Sequence, residues 1–369
     1  MDSRERTFLA LNHERPDRIP VDFWASTGLR QRMADELGVS FAQFLDGHDV
    51  DLRYIPGPSY VGPPLERRHD GVSLDIWGVP RRSVTLDVRG HQESYREVVE
   101  PPLAAASTAE DVAAYGHWPS ADWFDYSVVE AQCDAVRDAG RVVVFMGDRL
   151  NRVAQLKPAM YLRGIEALMV DLAMRPAIAR AVFAGIGRFY KEYLDRILDA
   201  ARGKIDIVLT GDDFGAQDGL LVSPTTWEEF LGDGFRDYVR LVKAHGAAAM
   251  HHTCGSVVEL IPAMIERGLD ILQSIQPEAR GMAPARLKAS FGDRLCFHGG
   301  VSIQRLLPRG TTDDVRREVR HLAEVMGENG GYIFCTAHNI QADTPMENVL
   351  ALVASYGRYG SCRARRTER

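Results

Sequence analysis

Short apolar runs alternate with longer amphipathic stretches along most of this chain. Residues 18–24 (RIPVDFW) read as a strand after a short helix at 3–12. Further strands are predicted at 142–148 (VVVFMGD), 205–213, 247–255, 270–277, 295–300 and 332–339, with an eighth at 51–55. Helical spacing of apolar residues fills the gaps at 161–175, 178–201, 225–244, 257–267, 283–291 and 312–327. Strand and helix in regular alternation imply parallel strands joined by crossover helices. Eight strands without a G-x-G-x-x-G after the first favour a closed (β/α)8 TIM barrel over an open doubly wound sheet. The stretch 71–101 breaks the alternation: GVSLDIWGVPRRSVTLDVRGHQESYREVV reads as turn-linked strands, a small antiparallel β insertion at one barrel end. The expected organisation is one barrel domain over 1–360, with a basic, frayed tail at 361–369.

Composition narrows the function classes. The 369 residues carry a formal net charge of -7, which disfavours a general nucleic-acid binder. Five cysteines in so long a chain do not read as a disulfide framework, so a reducing, cytoplasmic setting is expected. The first twenty residues are charged from the second position onward and lack a secretory apolar core. No apolar run approaches the roughly 18 residues of a membrane span.

In a barrel of this kind the chemistry sits at the C-terminal ends of the strands. Those ends here are rich in donors and acceptors: Asp22 and Trp24; Asp148 and Arg149; Asp212 and Asp213; His252 and Cys254; Gln273 and Gln276; His298; then Cys335, His338, Asn339 and Gln341. The sharpest element is His252-Thr253-Cys254. Side chains two apart share a strand face, so this imidazole and thiol project together, while His251 and Thr253 turn toward the helix layer. Imidazole and thiolate are ligands that zinc prefers, and three ligands with one open position mark a catalytic rather than a structural ion. A third ligand is available from the later stretch as either His338 or Cys335. Cys133, Cys296 and Cys362 read as packing residues or tail. Asp213 and Asp148 are the candidate catalytic carboxylates, able to orient a ligand or carry a proton. Asp212 is turned away by parity. Asn339, Gln341, Trp24, His298 and Arg149 are candidate substrate-binding residues, and Trp77 and Tyr60 are candidate rim aromatics.

SRERTFLALNHERPDRIPVDFW, GDDFGAQDGLLVSP, HTCGSVVELIP, FGDRLCFHGGVSIQ and AHNIQADTPMENVLAL, taken in order, resemble the uroporphyrinogen decarboxylase-like superfamily over nearly the whole chain. Within it the chain looks more like the corrinoid-linked methyltransferases. The arginine-rich M-R-Q-A-G-R-Y clamp of the decarboxylases is absent; LNHERPDRIPVDFW stands there instead. The methyltransferase branch binds zinc through H-x-C and a later cysteine. His252 and Cys254 match the pair, and alignment on Thr344-Pro345-Met346-Glu347-Asn348 puts His338, not Cys335, at the later position. The resemblance implies a zinc-dependent methyltransferase that moves a methyl group between a small molecule and a corrinoid (cobalamin) carried by a partner protein. The small molecule would be a methyl donor or a thiol or folate acceptor. It implies a monomer or homodimer with no nucleic-acid or membrane partner. Two alternatives stand beside it: a metal-independent decarboxylase, and a non-catalytic module that binds a tetrapyrrole or a corrinoid protein.

Overall fold

The computed structural model describes residues 1–68, 71–88, 90–147 and 152–361. Its centre is a seven-stranded parallel sheet in the order Leu52–Ile55, Val142–Phe145, Ile207–Gly211, Ala248–His252, Ile271–Ile275, Cys296–Gly299 and Tyr332–Ile333. The eighth place is taken by the extended segment around residues 20–26. It pairs through single bridges, Val21 with Phe334 and Ala25 with Ile340, and Asp51 N–H donates to the Val21 carbonyl on its other side. The curled sheet therefore closes on itself as an α/β barrel. The predicted strand at 18–24 is thus extended chain without a regular ladder. Pro20, with no N–H to donate, contributes only its carbonyl, which accepts from Phe334.

Alternation along the strands separates two apolar layers. Leu52, Val142, Val144, Ile207, Leu209, Met250, Ile271, Cys296, Ile333 and Cys335 point inward, with Trp24, and fill the barrel. Their neighbours Val143, Phe145, Val208, Ala249, Leu272, Phe297, Tyr332 and Phe334 point outward under the helices. Burying each large aliphatic chain is worth about 1.5–3 kcal/mol, so this two-sided packing fixes the register of every strand.

The predicted helix at 161–175 is two helices, Leu156–Arg163 and Ile165–Met174, divided at Gly164, whose φ of 86° ends the first. The predicted helix at 225–244 divides at Leu231 into Pro224–Phe230 and Gly232–Ala244. That at 257–267 shortens to Ile261–Glu266. The stretch 71–101 forms a three-stranded antiparallel sheet of Val72–Leu74, Pro80–Val88 and His91–Val98. It meets the N-terminus of the helix Thr27–Leu37, where the Glu93 carboxylate accepts from Ser26 Oγ and the Gly28 N–H. Among the described residues no helix is long and apolar enough to cross a membrane.

Candidate active site

The barrel mouth is organised by one turn, Asp212-Asp213, after the strand Ile207–Gly211. Asp212 points out toward the helix layer. Its carboxylate accepts the N–H groups of Gln155 (2.6 Å), Leu156 (2.9 Å) and Lys157 (2.7 Å), capping the helix Leu156–Arg163. Burial pushes this carboxyl up to about 6, against the three N–H bonds that favour its ionised form. Asp213 points the other way. Its Oδ2 pairs with Lys157 Nζ, and its Oδ1 accepts the Cys254 N–H (3.1 Å) and lies 3.4 Å from His252 Nε2. Burial alone would raise Asp213. His252 when protonated at both nitrogens, together with the Lys157 ammonium, overrides it and holds the carboxyl well below the usual carboxylate range.

His252 and Cys254 lie one strand further on. The His252 Nδ1–H donates to Gln273 Oε1 on the next strand, which leaves Nε2 with its lone pair 3.5 Å from Cys254 Sγ. A ligand histidine is commonly oriented in this way, by a hydrogen bond at its other nitrogen. His338 arrives from beyond the strand Tyr332–Ile333, its ring 5.4 Å from that of His252. One ligand atom from each of His252, Cys254 and His338 lies within 4.8 Å of the other two. Donors about 2.0–2.3 Å from a tetrahedral zinc sit roughly 3.5 Å apart, so small side-chain movements would close this group on an ion. The group fits zinc in chemistry as well as spacing. Burial pushes Cys254 up to about 12 and His338 down to about 3, and lowers His252. Neutral imidazoles are ready ligands, and the thiol needs a cation beside it to ionise.

Cys335 is elsewhere. It shares the interior face with Ile333 and groups with Asp22 and His298, all fully buried, each offering an atom within 4.8 Å of the others. His298 Nε2 bonds to Asp22 Oδ2 at 2.8 Å, below the cavity rather than in it. Trp24 is also interior, 6% exposed, between this group and His252. His251 faces the helices, stacked on Phe214 and bonded to Thr210 Oγ1 (2.8 Å); burial pushes it down to about 3. Asp148 and Arg149 lie outside the described residues.

His252 and His338 line a half-enclosed cavity of about 380 Å³, with Cys254 behind them. Asn339 lines it; Gln341 does not, its amide turning back to donate to the Asn339 carbonyl (3.0 Å). The rest of the wall includes Trp77, Arg81, Met146, Arg152, Lys157, Tyr161 and Tyr190. The inserted antiparallel sheet supplies two of these. Asp75 accepts the N–H groups of Trp77 and Val79 through one oxygen and Arg81 Nε through the other (2.6 Å), and the Arg81 guanidinium lies 4.4 Å over the Tyr161 ring. Arg152 passes over the strand end at Gly211, where a Cβ would come within 2.7 Å of its Cδ. Strand-end reasoning does not find Arg81, Arg152, Lys157, Tyr161 or Tyr190. Lys157 and Tyr161 share one face of the helix Leu156–Arg163, whose start lies ahead of the helix predicted at 161–175. Tyr60 packs on Trp123 and Phe124, away from the cavity.

Comparisons with known proteins agree with this architecture. A methyltransferase from Methanosarcina mazei superposes with a TM-score of 0.66 at 17% identity, covering 97% of this chain and 99% of that one, which shows a shared fold. Methylcobamide:CoM methyltransferase MtaA of Methanosarcina barkeri is 28% identical over 157 residues, 42% of each chain. Uroporphyrinogen decarboxylase of Wolinella succinogenes is 25% identical over 182 residues, 48% of each. The chain therefore matches less than half the length of these curated relatives. The uroporphyrinogen decarboxylase (URO-D) family matches residues 153–359, more than half of the sequence and the whole run from the helix cap at Asp212 through the His252 and His338 strands. By that match the chain belongs to the URO-D family.

Proposed function

We propose that this chain is a zinc-dependent methyltransferase, with His252, Cys254 and His338 as metal ligands. It would move a methyl group between a small molecule in the cavity and a corrinoid carried by a partner protein. The observation that carries this reading is the convergence of two imidazoles and a thiol, the imidazoles lining a half-enclosed cavity, with His252 already oriented by Gln273. The similarity to a methylcobamide methyltransferase supports the corrinoid.

When bound, zinc supplies Lewis acidity that favours the ionised form of an oxygen, nitrogen or sulfur atom of the methyl-bearing molecule. The chain's own groups set up the rest. Gln273 holds the His252 tautomer. Lys157 keeps Asp213 ionised, so its carboxylate stands as a fixed negative charge beside the candidate ligands, able to orient them or a cationic part of the reacting molecule. Trp77, Tyr161 and Tyr190 wall the cavity, limit water and fix the plane of what enters. Asn339 offers an amide to a substrate oxygen.

The test is cobalt spectroscopy of the purified chain with methylcobalamin and a panel of thiols, and with cob(I)alamin and a panel of methyl donors. The expected result is conversion that a chelator abolishes and that His252→Ala or Cys254→Ala removes. A second reading, decarboxylation of a carboxylated ligand, is favoured by the cationic wall residues Arg81, Arg152 and Lys157. Chelator-insensitive release of carbon dioxide from uroporphyrinogen, without any methyl transfer, would replace the first reading with the second.

A further inference from the structure

Beneath the candidate ligands lies a buried polar chain that the proposed chemistry does not use. Trp24 Nε1 donates to the Tyr54 hydroxyl at 2.8 Å. The Tyr54 hydroxyl donates onward to Asp22 Oδ2 at 2.5 Å. The same oxygen bonds His298 Nε2 at 2.8 Å, and Asp22 Oδ1 accepts the Phe23 N–H at 2.7 Å. An indole is only a donor and a phenol has a single proton, so the direction runs one way, from Trp24 to the carboxylate. Asp22 and His298 are 1% and 0% exposed, where a partner lost is not replaced by water.

The far end of this chain touches the ligands. The Trp24 ring stacks on His252, with centroids 6.1 Å apart and planes 20° off parallel. It stands edge-on to His338 at 6.2 Å and 84°. His252 is thus held twice, at Nδ1 by Gln273 and on its face by Trp24. Among the described residues, His338 is aimed by ring contacts alone, from Trp24 and from His252. Apolar volume would fill this place equally well. The hydrogen-bonded chain does something that volume cannot: it fixes the rotation of the indole, and so the angle of the surface against which both imidazoles rest.

We propose that Trp24, Tyr54, Asp22 and His298 are positioning residues: a hydrogen-bonded floor, spanning three barrel positions, that sets the aim of His252 and His338 toward the metal. This inference rests on the metal-site reading above and adds to it the residues that make the site rigid.

The test is titration of the full chain with Co²⁺ alone, read by chelator competition and by the visible bands of the ion. Wild type, Tyr54→Phe, Trp24→Phe and the double variant are compared, with Tyr60→Phe as a control and circular dichroism as the check on folding. Second-layer partners of metal ligands are worth roughly 10–100-fold in affinity. The expected result is a loss of that order in each single variant with shifted visible bands. The double variant should be no weaker than the weaker single, because the two residues act through one chain. Tyr60→Phe should match wild type. Should Tyr54→Phe not fold, Trp24→Phe decides, since it keeps a ring against the histidines and drops the indole N–H. Unchanged affinity and bands in a folded Trp24→Phe variant overturn the inference and leave the metal site standing. A second Co²⁺ that His298→Ala removes also overturns it, by making Asp22, His298 and Cys335 ligands themselves. Wild type that takes up no Co²⁺ overturns both this inference and the metal reading.

Discussion

Asp212 carries more of the site than its distance from the ligands suggests. Asp212→Ala removes the acceptor for three buried N–H groups at the start of the helix Leu156–Arg163. Each orphaned donor costs about 1–3 kcal/mol, a gross loss of about 6 kcal/mol. Against this stands the cost of the buried charge. Burial pushes the carboxyl from 3.8 up to about 6, which corresponds to about 3 kcal/mol in the ionised form. Relief of that cost leaves a net loss of about 3 kcal/mol for alanine. Asp212→Asn enjoys the same relief and keeps one acceptor oxygen. It leaves one N–H, and its own amide, badly placed, so its net change lies within about 1 kcal/mol of wild type. The pH dependence follows from the sign. The folded chain holds the Asp212 proton more tightly than the unfolded chain does, so wild type gains on both variants as pH falls from about 6 to about 4. Urea unfolding of the three proteins at about pH 8 and about pH 5 reads both effects. An alanine variant within about 1 kcal/mol of wild type at the higher pH, or an asparagine variant as costly as alanine, would refute the reasoning. The helix start also carries Lys157 and Tyr161 into the cavity, so alanine should loosen the wall as it destabilises the fold.

Other expectations follow from the same geometry. Lys157→Met removes the ammonium paired with Asp213, so the carboxyl should rise and the acid limb of the activity profile should move to higher pH; a fixed limb would mean that Asp213 does not set it. His251 is held neutral by burial, pushed from 6.5 down to about 3, so the unfolded chain takes up the extra proton. The metal-free chain should lose up to about 5 kcal/mol between about pH 6.5 and pH 3, and His251→Phe should flatten that slope in acid unfolding curves. Gly255→Ala meets a φ of 81° and a neighbouring backbone, Gly215, 2.4 Å from the new Cβ. It should lower the melting temperature by several degrees, the equivalent of at least about 1–3 kcal/mol, and an unchanged melt would contradict the loop packing.

Much of the barrel can be read from the chain because strand periodicity is a local property. Two-residue alternation is what places Asp213 and His252 on the interior side and turns Asp212 and His251 to the helices. Helix breaks are harder to read. Gly164 and Leu231 interrupt stretches whose apolar spacing runs straight through them, and only tertiary packing decides between one helix and two. The place of the first strand is legible, but not its thin pairing, which depends on what Phe334 and Ile340 offer across the closure. The third ligand is open in the sequence for a physical reason. Cys335 keeps strand parity and is drawn into the interior with Ile333, while His338 follows a bend where Thr336 Oγ1 donates to the His338 carbonyl at 2.7 Å and parity no longer applies. The cavity wall is the least legible part. Trp77, a candidate rim aromatic from the sequence, does reach the wall, but Arg81 comes from the same inserted sheet far from the ligand strands in sequence, and no local pattern announces a contact of that range.

The most direct test of the central claim is the metal content of the purified chain, measured together with that of the His338→Ala and Cys335→Ala variants. The expected result is about one zinc ion per wild-type chain, lost in His338→Ala and kept in Cys335→Ala. A wild-type chain that is folded yet binds no zinc, or zinc kept in His338→Ala and lost in Cys335→Ala, would contradict the account.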